Sequence, residues 1–531
     1  MRNRAGHWAK RLACAVVFAA LCGGGVSAAS GPDIRAELQH LLLDSPSPAQ
    51  NRLVEFYETR GFRPVWSGDG DARDRLRLAI ATLGKADDQG LRASDYLTGL
   101  RGDDADAAHL DIDMTDALLR YAKDVSDGRL DPGKVYKDIR LAPRAFDAGA
   151  ELVRALAHDD LDRFLNGLPA PDADYRGLIA GLAGYRAIAA AGGWRHVTAG
   201  DAPALAARLS VEDPVLAAIE APTPDDVHDA LLRYEARNGL ALDANPGPAV
   251  VAALNVPVAW RIKQILANLE RRRWLPRTFE SRYIVVNAPD QTVSYIDDGK
   301  TMLISPVVIG TKALPTPILR TLVKAVVVNP PWDIPDSIVA QALLPHLRKS
   351  PGYLAERNLV LADGPPDDPH GVTVDWGSVK PNAIPYQVQQ PPGPGNALGA
   401  LMLDMPNPLD VYLHDTPNKG LFALDDRQKS HGCVRVQNIF ALASLALTGD
   451  ADDGMDKLKQ AVASGSTQRL ALDEALPVYF LYRTAIAMPD GTIGFRPDIY
   501  GRDKRLIALL DAKPPKAKPL PPAAETLASR E

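Results

Sequence analysis

RYIVVNAPDQTVSYIDDGKTMLISPVVI, residues 282–309, is where the chain changes period. Tyr283–Asn287, Thr292–Ile296 and Met302–Ile309 alternate apolar and polar side chains, with turn signals between several of them. Alternation of period two buries one face of a strand and wets the other, so each run is predicted as a strand. Leu322–Asn329 adds another, and strand signals return at Leu401–Asp404 and Asp410–His414. Residues 336–395 interrupt the pattern with a predicted helix, Asp336–Lys349, followed by a proline- and glycine-rich stretch. So long an interruption beside a β core is expected to be a lid or substrate-covering element.

Upstream the period is helical. Residues 31–195 carry apolar residues at helical spacing, as in Ala117-Leu118-Leu119-Arg120-Tyr121-Ala122, and gather no group of catalytic residue types. Residues 196–258 form a small unit. Asp225–Gly239 fits an amphipathic helix ended by a glycine cap, and a turn at Asp243–Pro248 leads to a second short helix, Ala249–Leu254. Trp260–Trp274 (WRIKQILANLERRRW) reads as an amphipathic helix whose basic face is solvated or lies between domains. The last residues, Ala512–Glu531, are rich in Pro, Lys and Ala and are expected to be disordered.

The chain has 531 residues, enough for three or four domains at ~150 residues each. Residues 1–28 have the form of an export signal: Arg2, Arg4, Lys10 and Arg11, then the apolar Leu12–Leu21, then Val26-Ser27-Ala28 before the cleavage point. No later segment approaches 18 uninterrupted apolar residues, so no transmembrane segment is expected in the mature chain. The net charge is -6, and loss of residues 1–28 removes four basic and no acidic residues, leaving -10. With no long basic run, this argues against nucleic-acid binding. Export also removes Cys14 and Cys22, so Cys433 becomes the lone cysteine and cannot form an internal disulfide.

Cys433 stands in Ser430-His431-Gly432-Cys433-Val434-Arg435-Val436-Gln437-Asn438, with 15 residues between Ser430 and His414. A free thiol, with a pKa near ~8.5, is mostly protonated at neutral pH and needs a base to become a nucleophile. A histidine at a strand end can serve, and can later protonate the leaving amine. Gly432 would let the N–H groups of Gly432 and Cys433 face a developing oxyanion, and Arg435 could hold a substrate carboxylate. Composition and spacing leave two alternatives open. The thiol could be a buried hydrophobe beside ordinary histidines, or His414, His431 and Cys433 could be zinc ligands lacking a fourth.

The His414 spacing to Ser-His-Gly-Cys, with Asn438 following, resembles the active-site signature of L,D-transpeptidases. Other stretches resemble the large three-part enzymes of Gram-negative bacteria: Asn329–Pro335, Pro392–Gly399, Phe495–Gly501, Phe56–Phe62 and Asn255-Val256-Pro257. The resemblance implies an α+β multidomain chain. A signal (1–28) precedes a helical scaffold domain (29–195) and a small helical peptidoglycan-binding-like module (196–258). A β-rich L,D-transpeptidase catalytic domain (259–511) with the lid 336–395 inserted comes next, and then a disordered tail (512–531).

The resemblance further implies Cys433 as nucleophile and His414 as general base and acid, the latter oriented by a backbone carbonyl such as that of Asp415. Ser430, His431 and Gly432 would support the oxyanion pocket, and Arg435 and Asn438 would contact substrate. No metal or organic cofactor is implied. The expected reaction releases D-Ala from a peptidoglycan tetrapeptide stem, leaves a thioester on Cys433, and transfers the acyl group to a diamino-acid amine as a 3→3 cross-link. Hydrolysis of the same bond, or a non-catalytic wall-binding role, are the alternatives. The periplasm is the expected location, with peptidoglycan stem peptides and other cell-wall synthesis enzymes as partners. Two departures stand out. Gln389-Gln390 replaces an expected Arg-Gln pair, and the turn at Asp243–Pro248 fits a peptidoglycan-binding motif only loosely.

Overall fold

The computed structural model describes residues 34–43, 51–68, 70–98, 100, 107–142, 144 and 146–512. The export signal read at 1–28, and the tail beyond Ala512, lie outside the described residues. The architecture is an N-terminal helical scaffold, a helical connecting region and a C-terminal β-rich domain with a lid-like insertion.

The scaffold packs around α1 (Ala107–Asp127), whose Ile112, Leu118, Leu119, Ala122 and Val125 are buried. Asp111 on the same helix is also buried, and a buried carboxylate must be fully hydrogen-bonded. It accepts from the amides of Val65, Trp66 and Ser67 and from the Tyr57 hydroxyl, which ties residues 57–67 to α1. A two-residue strand, β1 (Ile139–Arg140), leaves the helical half and pairs in parallel with the β domain. The helix α2 (Ala173–Ala190) packs against the hairpin near the C-terminus.

In the small unit, α3 (Pro224–Asn238) starts with a Thr223–Asp226 capping box and ends at Gly239, whose φ of 63° is the left-handed cap that the spacing predicts. The second expected helix spans Pro248–Leu254, and Ala202–Ser210 and Pro214–Ala217 add two that the sequence pattern did not announce. Together they bury Leu209, Leu216, Leu231, Tyr234 and Leu254.

The next helix, α4 (Val258–Arg273), decides between the two settings expected for its basic face. Its basic face is not solvated: Arg271, Arg272 and Arg273 are each less than a tenth exposed. A buried guanidinium must be paired, and each one is. Arg271 bonds Asp503 at 2.6 Å and the Tyr136 hydroxyl at 3.0 Å. Arg272 bonds Asp172 at 2.6 Å. Arg273 bonds the Tyr175 hydroxyl at 2.9 Å and the Gln89 carbonyl. The helix C-terminus adds a favourable negative dipole end. The partners come from both sides in sequence, so the basic face is an interdomain joint.

The β domain closes into a barrel. Its strands are β2 (Arg282–Asn287), β3 (Thr292–Asp297), β4 (Lys300–Gly310), β5 (Ile318–Val328), β9 (Leu401–Asp404), β10 (Leu413–His414), β12 (Val434–Val436) and β13 (Gln468–Leu481). Among the described residues they pair in the ring β5-β13-β2-β3-β4-β12-β10-β9, and β9 returns to β5. The β2–β13 and β10–β12 pairs are parallel. The short β11 (Gln428–Ser430) pairs with β4 outside the ring. Inward side chains Val307, Val326, Leu403, Leu413, Val434, Val436 and Val478 fill the core. β14 (Ala485–Ala487) and β15 (Ile493–Phe495) form the hairpin that meets α2.

The insertion leaves and rejoins the barrel between β5 and β9. Its stems are tied by Asn329 N–H to the Ala400 carbonyl at 2.9 Å and by Ile334 N–H to the Val388 carbonyl at 2.9 Å. A small sheet, β6 (Trp332–Asp333), β8 (Val388–Gln390) and β7 (Val360–Leu361), carries its own core of Leu344, Leu347, Leu354, Leu361 and Trp376. The helix expected over Asp336–Lys349 contains a π turn, Val339–Leu343, before Pro345. Pro345 has no N–H and crowds the carbonyl four residues back, which widens that turn.

Truncating one partner of the buried Arg271–Asp503 pair strands a charge, at a cost of about 3–5 kcal/mol. Asp503→Ala is expected to lower the thermal midpoint by on the order of 10 °C. Lys263→Ala, at the exposed Lys263–Asp511 pair, should change it little. Equal effects in a calorimetric scan would contradict the joint described for α4.

Candidate active site

The parallel pairing of β10 with β12 builds the site. Leu413 lies opposite Val434, and His414 lies opposite Arg435. Leu413, Val434 and Val436 point into the barrel, so period two turns His414 and Arg435 to the other face together, with Cys433 immediately before β12. The Val434 N–H donates to the Tyr412 carbonyl at 2.9 Å, which locks the register of the nucleophile strand against the histidine strand. A one-residue slip would send the thiol into the core.

His414 is 4 % exposed, and its Nδ1 lies 2.5 Å from the Asp415 carbonyl oxygen. A carbonyl only accepts, so Nδ1 carries the proton and Nε2 keeps its lone pair. Burial, and next the Arg435 cation, bring its pKa down to about 4, against the pull of the Asp415 and Leu398 carbonyls. At neutral pH the ring is therefore an uncharged base. Asp415 is held in turn: its carboxylate accepts the Ala400 N–H at 2.9 Å and pairs with Lys419. Gly399 has φ 64°, and a Cβ there would meet the Asp415 side chain at 2.5 Å, so this approach requires glycine.

The Cys433 thiol is partly exposed and donates to the Asp410 carbonyl at 3.6 Å. Burial raises its pKa, while the backbone amides of Tyr412 and Cys433 and the Arg435 cation favour the thiolate, and the negative charge of Asp410 opposes it. Burial wins, so the resting sulfur is a thiol. Arg435 is half-buried, and its Nε has no hydrogen-bond partner among the described residues. Burial lowers its pKa and the nearby thiol counters that.

The other residues named from the sequence fall as follows. Ser430 is buried; its hydroxyl donates to the Cys433 carbonyl at 2.6 Å and accepts the Gly432 N–H at 3.2 Å. The Gly432 amide is thus engaged within the loop and not aimed at a substrate. Its φ of 119°, outside the range of most side chains, shapes the turn before the nucleophile. Thr316, unremarked in the sequence, grips that turn by donating to the Gly432 carbonyl at 2.9 Å. His431 is exposed. Asn438 lies past β12, at the N-cap of α5 (Ile439–Thr448), with its N–H donating to Ser305 at 3.0 Å. Asp410 and Tyr412, read only as strand residues, join the site; nothing in their spacing marks them. Gln390, at the departure from the family pattern, accepts the Ala397 N–H at 2.9 Å and shapes the turn behind the stems. Among the described residues no group of three or more His, Cys, Asp or Glu side chains gathers to hold a metal, and no single helix is long and apolar enough to cross a membrane.

Residues 281–457 match the L,D-transpeptidase catalytic domain family, and residues 51–182 match a family described as a scaffold domain. A Haemophilus influenzae protein provisionally named an L,D-transpeptidase is 35% identical over 244 residues, covering 46% of this chain and 49% of that protein. The chain thus spans about half the length of the curated relative it matches. It carries an L,D-transpeptidase catalytic domain beside a separate scaffold domain.

Arg435 favours the Cys433 thiolate, so its removal must raise the thiol pKa further. Arg435→Met is expected to slow alkylation of Cys433 at pH 8 by about threefold to tenfold, since one pKa unit is a tenfold change in thiolate. Peptide mass spectrometry of iodoacetamide-treated protein reads this directly. An equal or faster rate would contradict the assigned electrostatics.

Proposed function

We propose that this chain is an exported L,D-transpeptidase acting on peptidoglycan stem peptides in the periplasm. The observation that carries the reading is the register that sets His414 opposite Arg435 and beside the turn bearing Cys433, with His414 oriented by the Asp415 carbonyl. A neutral imidazole and a protonated thiol suit general-base activation: His414 takes the thiol proton as sulfur attacks the carbonyl carbon. The amides of Tyr412 and Cys433, which favour negative charge on the sulfur, would also favour an oxyanion beside it.

Collapse of the tetrahedral intermediate breaks the amide between residue three and D-Ala four, and the leaving amine takes a proton from the imidazolium. A thioester remains on Cys433. The amine of a second stem's diamino acid then attacks it to make a 3→3 cross-link. Arg435 would hold a donor carboxylate through its guanidinium. Asn438, His431 and the domain divisions read from the sequence belong to the same proposal. The insertion 336–395, rooted on the strands that flank the site, would exclude water and favour an amine over hydrolysis.

Full-length protein and its Cys433→Ala copy, incubated with tetrapeptide muropeptides, test this by mass spectrometry of the products. A Cys433-dependent dimer lacking one D-Ala is expected. Tripeptide alone would identify a hydrolase, and no change with either copy would favour a wall-binding scaffold.

A further inference from the structure

We propose that the Asp410 carboxylate is the anionic subsite that draws a primary-ammonium acceptor to the acyl-enzyme. The proposal rests on the transpeptidase reading above and concerns only its second half-reaction. Asp410 precedes Tyr412 by two residues and His414 by four, while Arg435 lies opposite His414. Cys433 therefore lies within reach of both an anionic and a cationic side chain, each of which acts on its thiol. The Asp410 carbonyl accepts the thiol hydrogen bond at 3.6 Å, and its Oδ1 lies 3.5 Å from the Tyr412 hydroxyl. A left-handed φ of 49° turns the chain there, a conformation that aspartate and asparagine tolerate.

Several carboxylates near the site are paired. Asp404 is bonded to Arg469, Asp415 to Lys419 and Asp426 to Lys429. Asp410 is exposed and forms no ion pair among the described residues. Its charge also opposes the thiolate, because it raises the pKa of Cys433. A residue serving only the thiol would not be an acid. Its charge suits the second step, in which the incoming nucleophile is a cation until it loses a proton.

In that step the ammonium first gives one proton to solvent. The nitrogen lone pair forms the new C–N bond, the C–S bond breaks, and sulfur leaves with the bonding electrons. One of the two N–H protons left passes to His414 and from there to sulfur, and the other stays on the amide nitrogen. Water is uncharged and gains nothing from Asp410, so the carboxylate favours transfer over hydrolysis.

The test uses the full chain with a tetrapeptide donor and three competing nucleophiles: a tripeptide stem with a free diamino-acid amine, hydroxylamine (uncharged at neutral pH), and water. Asp410→Asn is expected to lower the ratio of amine transfer to hydrolysis about fivefold, as loss of one solvent-exposed charge contact would. The hydroxylamine-to-water ratio should hold. Single-turnover D-Ala release should become faster, because the charge opposing the thiolate is gone. Asp410→Gly, which accepts the same φ and keeps the carbonyl, should behave alike. An unchanged amine ratio would overturn the proposal, as would parallel slowing with all three nucleophiles, the mark of a turn-forming role. Absence of any wild-type thioester or D-Ala release would instead remove the transpeptidase reading itself.

Discussion

Three adjacent guanidiniums that cannot reach water hold this molecule together. Arg271, Arg272 and Arg273 end one helix, and their burial obliges other parts of the chain to supply acceptors. Gln89, Tyr136, Asp172 and Tyr175 come from the helical half, and Asp503 comes from the last described helix. The scaffold and the barrel are thus fixed to the same helix turn. Cation–π contacts of Arg271 with Tyr482 and of Arg272 with Phe279 tighten the joint. A barrel assembled on such a joint has one orientation relative to its scaffold.

Within the barrel, the alternation that buries Leu413, Val434 and Val436 also displays His414 and Arg435 beside the turn bearing Cys433, so core and site are two faces of the same strands. Their electrostatics describe a resting state without a preformed ion pair. Burial keeps His414 neutral and Cys433 protonated, and Arg435 pushes both toward their deprotonated forms. Proton transfer then accompanies attack and does not precede it. The insertion is rooted beside this face through Asn329 and Ala400, and Ala400 also bonds the Asp415 carboxylate. The stem of the insertion and the residue that orients the base therefore share an anchor.

Much of this was legible in the sequence where a single local signal sufficed. The strands from Tyr283 to Asn329 and the glycine cap at Gly239 follow from period or spacing, whereas spacing only singled out His414 and Cys433 and the family resemblance gave them their roles. β13 did not announce itself: Asp473-Glu474 and Pro477 break its alternation, and a register shift between Ala471 and Leu476 lets it serve two environments. Strand pairing at Asp410–His414 begins only at Leu413, because Asp410 is left-handed. The basic face of α4 was expected to be solvated or interdomain, and no local pattern could decide, since its partners lie up to 232 residues away. The engagement of the Gly432 amide by Ser430 is likewise a matter of loop geometry, not of motif.

The central claim is that Cys433 becomes covalently acylated with His414 as its base. The most direct test is to incubate the full chain with a tetrapeptide stem, quench in acid, digest, and locate the adduct by mass spectrometry. The account predicts a hydroxylamine-labile tripeptide on Cys433 of the wild type and none on the His414→Ala protein. Product formation while Cys433 stays unmodified, or an adduct of equal yield without His414, would contradict it.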